Sequence, residues 1–472
     1  MRLWIATLCS LTLAACTPGV RVDLATPEVA PPPPAPAAST AAVDLSGPFE
    51  PSPRLPSSEL LPGLALVGAG YQINADARVV DYYGQFELRS DVGNLTADGA
   101  DVLRLRVREL AAVRKLEALE RSEVFKDAAE RGARKPVDAM SQVGSEPAAT
   151  ASGLPAGIGR FLVRTALELK DLALDINDYA VDAMAEDEPE RKDTRSTGSK
   201  AQSAATSLTL RYIGYNKARR EIARHVGADP YSTNPLIDRR LDSLAWAAWS
   251  GNKLTSLGWG LIGGVAGAAI GYAKDAYQLV WELPPEDLKR RNLKVLAELG
   301  MGGKPARDLV RRSKAFTLTQ QTEFVELLRL PEFEGARRPL FALALKAERE
   351  THARYLNNAL RLLHYAHEAE PGALQAEVLG GSPALKRADG SAIVALPVDY
   401  LSWTREIAEF AWREDLIGRR NVLLVTGTLS PTALDAFSAA GWTVRERVSL
   451  APADWVEPED RPDAAQTAPL RE

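Results

Sequence analysis

Polar and apolar residues alternate along Gln85-Phe86-Glu87-Leu88-Arg89, a period of two that predicts a half-exposed strand. The strand-like pattern extends from Tyr71 to Ala97. Gly84, Gly93 and Asp98-Gly99 punctuate it as turns, so a small antiparallel unit is expected near the start of the folded body. The period then changes. Leu103, Val107, Leu110, Val113 and Leu116 recur at steps of three and four, the signature of one buried helix face. More helix is predicted across 121–132 and 157–185. Residues 186–202 carry many charges and no apolar periodicity, which reads as a solvated loop or linker.

From about 203 to 370 the pattern is helical, with a break at Asp229-Pro230-Tyr231-Ser232-Thr233-Asn234-Pro235. Asn234 can cap the next helix, and Pro235 suits its first position. Leu340 to Ala369 is predicted to be the longest helix, stopped by Glu370-Pro371-Gly372. After that, Leu385-Lys386-Arg387 and residues 392–396 flank Ala388-Asp389-Gly390 as a hairpin. A helix is expected over Tyr400–Glu414 and a buried strand over Asn421–Val425. Ser430-Pro431 opens another helix, Gly441 closes it, and Trp442–Val448 reads as a strand. The fold class is therefore α+β and mostly helical, with a small antiparallel β unit near the N-terminus of the body and a short α/β unit at the C-terminus. No repeat of solenoid period is present.

The leader has a different pattern. Arg2 is followed by an apolar stretch, Leu3 to Leu13, that is short for a permanent membrane span. It ends in Leu13-Ala14-Ala15-Cys16. This segment closely resembles the lipobox of bacterial lipoproteins, and the resemblance covers residues 1–16 only. It implies that the Cys16 thiol is alkylated with diacylglycerol, that the leader is cut before Cys16, and that the freed amine takes a palmitate-like chain. Two or three chains anchor stably, each buried CH₂ being worth roughly 0.8 kcal/mol. Thr17, rather than Asp, follows the cysteine. The resemblance then implies passage to the outer membrane, with the body in the periplasm or at the cell surface.

The resulting organisation is a signal peptide over 1–15 and a lipidated cysteine with a Pro/Ala-rich tether over 16–58. A β-hairpin and helical domain (59–186), a charged linker (187–202) and a helical domain (203–370) follow. A small α/β domain (371–450) and a disordered tail (451–472) complete the chain. Pro31-Pro32-Pro33-Pro34 makes the tether extended, at ~3.1 Å per residue. The composition of the 472 residues is ordinary for a globular body, 46% hydrophobic and 25% charged, so a core can form. A net charge of −5 does not point to a whole-chain binder of nucleic acid or anionic membrane, and no nucleic-acid partner is expected. The only cysteines are Cys9 and Cys16, so the mature body has no thiol for disulfides, catalysis or zinc.

Candidate chemistry is sparse. Leu254 to Ala273 has no charge, and Gly263, Gly267 and Gly271 repeat every four residues. Twenty helical residues span ~30 Å, and the spacing resembles a glycine zipper. The low apolar drive of Gly and Ala favours instead a Gly-rich loop with a short buried helix. His352, His364 and His367 fall in one predicted helix, with 352 and 367 within ~60° of each other. A zinc or iron site is conceivable there, but no His-Glu-x-x-His pattern supports it, and His352, Leu356, Leu360, Leu363 and His367 also form one packing seam. No metal or cofactor is therefore assigned. Ser250-Gly251-Asn252-Lys253 lacks the partner motifs of penicillin-binding enzymes. Val425 to Pro431 leads a strand into a helix N-terminus, where amides could meet an anion, although a plain capped start is the simpler reading. Trp246, Trp249, Trp259 and Trp281 read as core aromatics.

The function expected from these features is a membrane-tethered envelope lipoprotein acting through envelope-protein or cell-wall contacts, with Cys16 as its one assigned site. The alternatives are an envelope hydrolase with a site assembled from distant residues, and a membrane-active protein using the glycine zipper.

Overall fold

The computed structural model describes residues 48–123, 125–126, 214–250, 274–370 and 374–450. The fold is α+β, with an antiparallel sheet near the start of the body and a mixed sheet at the C-terminus. In the first sheet, β1 (Arg54–Pro56), β2 (Val67–Gly68), β3 (Tyr71–Ile73), β4 (Asp76–Val80), β5 (Tyr83–Ser90) and β6 (Gly93–Asp98) pair antiparallel throughout. The short helix α1 (Ser57–Leu60) follows β1. Phe86 and Leu88 are buried while Gln85, Glu87 and Arg89 face water, as the alternation predicts. Helix α2 (Ala100–Glu120) covers the buried face with Leu103, Leu110, Val113 and Leu116.

Helix α3 (residues 214–226) and α4 (Pro235–Ser250) complete this first core with Ile222, Leu241 and Leu244. A second core is built by α5 (Lys274–Glu282), α6 (Pro285–Glu298), α7 (Gly303–Arg312), α8 (Leu318–Arg329), α9 (Arg337–Leu345) and α10 (Glu350–Ala369), mainly from α6 onward. The segment 203–370 thus contributes to both cores. A 3-10 turn, Pro331–Ala336, links α8 to α9.

The second sheet has the order β13-β11-β9-β8-β7. Strands β7 (Gln375–Leu379), β8 (Ser382–Lys386) and β9 (Ala392–Leu396) form an antiparallel meander. A short β10 (Tyr400–Leu401) and α11 (Arg405–Ala411) follow. Then β11 (Val422–Val425), β12 (Thr428–Leu429), α12 (Pro431–Ala439) and β13 (Thr443–Arg445) complete the strand–helix–strand unit. β9, β11 and β13 are parallel, and every residue of β9 is buried, as expected where both faces of a strand are covered. β10 pairs with β12 as a separate parallel couple.

Several sequence expectations need correction. The stretch 16–58 is not all tether, since Arg54–Pro56 pairs with β4, and the strand expected over Trp442–Val448 is only Thr443–Arg445. Leu340–Ala369 is not one helix. The apolar period runs through, but the chain turns at 346–349, where Arg349 is extended and the Glu348 amide donates to the His352 ring (3.2 Å). That turn lets α10 bury Leu356, Leu360 and Leu363 completely. The predicted helix over Tyr400–Glu414 is only Arg405–Ala411. Tyr400 and Leu401 are taken by pairing with Thr428 and Leu429, and Thr404 caps the helix start.

Candidate functional site

The break at 229–235 organises an extended polar cluster. Asp229 accepts the Tyr231 amide and the Thr319 hydroxyl, each at 2.8 Å. Asn234 caps α4 by accepting the Leu236 amide at 3.0 Å, with Pro235 at the first helical position. This geometry aims the Ser232 hydroxyl and the Asn234 amide at Glu109 of α2, at 2.6 and 2.9 Å. Arg106, one turn earlier, donates to the same carboxylate at 2.8 Å, and both side chains are sealed from water.

The cluster continues without a gap. Arg106 also donates to Thr233 (2.6 Å), and the Thr233 hydroxyl donates to Glu350 (3.0 Å). Arg354 (2.8 Å) and Gln320 (3.3 Å) donate to the same oxygen of Glu350. Further along α10, Asn357 reaches Glu323 (2.9 Å) and Asn358 reaches Asp101 (3.1 Å). Thr233 is exposed and the Glu350 side chain keeps 31% of its surface, so the cluster meets solvent there.

The electrostatics separate these carboxylates. Burial pushes Asp229 up to about 6, against the Tyr231 and Thr319 bonds that favour its charge. Burial acts upward on Glu350 too, but the Arg354 and Arg106 guanidiniums and the Thr233 bond outweigh it and hold Glu350 below the usual range. Within this cluster Asp229 is thus the carboxylate pushed up and Glu350 the one held down.

A second buried carboxylate sits where the two cores meet. Asp399 lies between β9 and β10. Its Oδ2 accepts the Gly84 amide (2.8 Å) and the Ala100 amide (2.9 Å), so it caps α2 from 299 residues away. Gly99, the residue at the cap position, has no side chain to do this. Burial pushes Asp399 up to about 7, and Asp101 adds to that rise.

The helix start of α12 is occupied by the protein's own chain. Ser430 caps it by accepting the Ala433 amide (3.0 Å). Glu50 accepts the Trp403 amide (2.6 Å) and the Ser430 hydroxyl, which places a carboxylate where an anion was conceivable.

No protein-family model, curated protein or solved structure matches this chain. The site therefore has to be read from its own chemistry.

The histidines are not brought together. His352 is buried against Glu348, and the His364 Nδ1 contacts Glu332 at 2.6 Å with Glu368 on its other nitrogen at 3.5 Å. His367 Nδ1 is buried without a hydrogen-bond partner. Among the described residues no three His, Cys, Asp or Glu side chains are placed to hold a metal ion. Leu356, Leu360 and Leu363 between them are fully buried, so the packing seam is present. Trp246 and Trp249 meet as a tilted ring pair, 5.3 Å between centroids, and the Trp281 indole donates to Ala228 O, so all three are half-buried and engaged within the fold. Cys16, Lys253, the Gly-rich stretch 254–273, Trp259, and the stretches 157–185, 186–202 and 451–472 lie outside the described residues.

Asp399, Glu109 and Arg106 were missed by the sequence reading. Val102, Arg106, Glu109, Val113 and Leu116 follow each other at steps of four and three, so charged residues stand in register with a buried seam. That register was an available signal for Arg106 and Glu109. Asp399 had no comparable signal.

Proposed function

We propose that this protein is a lipid-anchored component of a bacterial cell envelope, and that its body works as a binding or structural module. The observation that carries the second half is how the buried acids are used. Glu109 takes three side-chain donors, Glu350 takes three on one oxygen, and Asp399 takes the Gly84 amide of β5 and the Ala100 amide that begins α2. Their hydrogen-bonding capacity goes into joining α2, α8, α10 and the 229–235 turn. Acids so engaged stabilise an assembly and leave few lone pairs for a substrate.

The anchor half rests on Leu13-Ala14-Ala15-Cys16 and the proline-rich stretch after it. Among the described residues no helix is long and apolar enough to cross a membrane, a finding compatible with attachment through lipid. Thr17 favours the outer membrane as the destination.

Fractionation of cells expressing the protein and its Cys16→Ala variant tests the reading. The parent should sediment with outer membranes and the variant should not be anchored there. A variant that still fractionates with membranes would overturn lipid anchoring and favour the Gly-rich stretch 254–273 as the attachment.

An envelope hydrolase is the second reading. It is favoured by Asp229, held near 6 beside Glu109, and by the His364–Glu332 contact. Release of soluble fragments from purified cell wall, lost in Asp229→Asn with the fold intact, would establish it over the first.

A further inference from the structure

The β4–β5 hairpin is built to be held at its tip. Asp81 and Tyr82 form the turn with φ of 54° and 71°, a left-handed conformation that costs non-glycine residues of order 1 kcal/mol or more each. Asn-Gly or Gly-Gly would adopt it freely. The contacts that hold the turn come from the other half of the molecule. The Tyr82 hydroxyl pairs with Thr404 (2.7 Å), and the Tyr82 carbonyl accepts the amides of Asp399 (3.0 Å) and Tyr400 (3.1 Å). The Tyr83 hydroxyl donates to Pro397 O at 3.0 Å. Both tyrosines are packed into the second core, although their own sheet belongs to the first.

Asp399 closes the same junction. Oδ2 alone takes both short amide bonds, and Oδ1 has only a longer contact of 3.1 Å to the Ala100 amide. A proton on Oδ1 therefore leaves the two short bonds in place. The two amides and Arg104 favour a charge on Asp399, but burial, the largest influence, together with Asp101 outweighs them. The groups facing it are Asp101 and Arg104 on α2 and Tyr83 on β5, with Tyr355 and Arg354 of α10 acting on Tyr83 behind them. Asp81 and Glu406 flank Tyr82 and add negative charge. Arg104 acts on Asp399 through space, while its guanidinium donates to Pro62 O at 2.6 Å.

We propose that Asp399 and the hairpin tip form a proton-operated latch between the two cores. With Asp399 neutral, the tip and the first turn of α2 stay docked. With Asp399 ionised, burial beside Asp101 disfavours the docked state and the strained turn is free to relax. The direction follows from linkage: a carboxyl raised on docking stabilises the docked state most in acid, and the effect fades as pH rises through its docked value. The window runs from about 4, where an undocked Asp titrates, to about 7. Acid tightens this latch.

Hydrogen exchange of the full chain in detergent, corrected for intrinsic rates between pH 4 and 8, tests it. Protection of the Gly84 and Ala100 amides should fall by up to tenfold per pH unit across the window and level off above about 7. Asp399→Asn should flatten the profile, and Asp101→Asn should move it to lower pH. Flat protection in the parent, or an unchanged slope in Asp399→Asn, would overturn the latch. If Asp399→Asn does not fold, carboxyl carbon-13 titration of Asp399 in the parent decides. A midpoint near 7 that Asp101→Asn lowers supports the latch, and an ordinary carboxylate midpoint overturns it.

Discussion

Glu109 and Arg106 show at single-residue scale what the polar cluster does. Each is closed off from solvent, and each is costly to bury alone. Removing one leaves an uncompensated charge. Arg106→Ala should therefore destabilise the body by about 3–5 kcal/mol, read from the urea midpoint at constant slope. Replacing both with apolar residues of similar volume should cost less than the single change, because neither charge is then orphaned, although Ser232 and Asn234 lose their acceptor. A single substitution without effect would mean that water reaches Glu109. Tyr82→Phe makes a finer test. It removes only the hydroxyl bond to Thr404, so a loss of about 1 kcal/mol is expected.

Among the secondary elements, helix starts are where the chain ties distant pieces together. α4 is capped locally by Asn234, α12 by Ser430 with Glu50 added, and α2 by Asp399 from the far half. Ser430→Ala should cost about 1 kcal/mol for the lost cap and should also free the Phe49–Glu50 strap, which Arg405 covers at 4.9 Å from the Phe49 ring. Faster exchange of the Glu50 amide, which donates to Trp403 O at 2.9 Å, would report that release. An unchanged rate would show that Arg405, the backbone bond and the Trp403 amide on the Glu50 carboxylate hold the strap without Ser430.

These elements also show what the pattern of residues could and could not reveal. Phe86 and Leu88 in the β5 alternation, the Leu103–Leu116 stripe, the Asn234-Pro235 start and the β11–α12–β13 unit are local signals, and each is present where expected. The turn at 346–349 was hidden because the apolar period is continuous there and the deciding contact is a histidine ring accepting a backbone amide. Tyr400 and Leu401 were drawn into a strand by β12, a partner no local window contains. Asp399 meets residues 299 and 315 positions away, so nothing near it in the chain marks it as a cap.

Across the whole molecule, the shifted acids pull stability in opposite directions with pH. Asp229 and Asp399 are raised, to about 6 and about 7, so their contributions are greatest in acid and are lost as pH rises through those values. Glu50, Glu350 and Asp415 are lowered, so theirs are present near neutrality and are lost as pH falls through the acid range. Thermal stability should therefore rise from pH 8 toward roughly 5 and fall below roughly 4. A midpoint that instead climbs steadily from pH 5 to 8 would mean that Asp229 and Asp399 are not the groups that dominate.

Everything at the scale of the cell depends on whether Cys16 carries lipid. Mass spectrometry of the N-terminal peptide from protein purified out of membranes measures this directly. Lipidation predicts a peptide beginning at Cys16, heavier by a diacylglycerol thioether and an amide-linked acyl chain. A free thiol at Cys16, or a leader cut at another position, would contradict it.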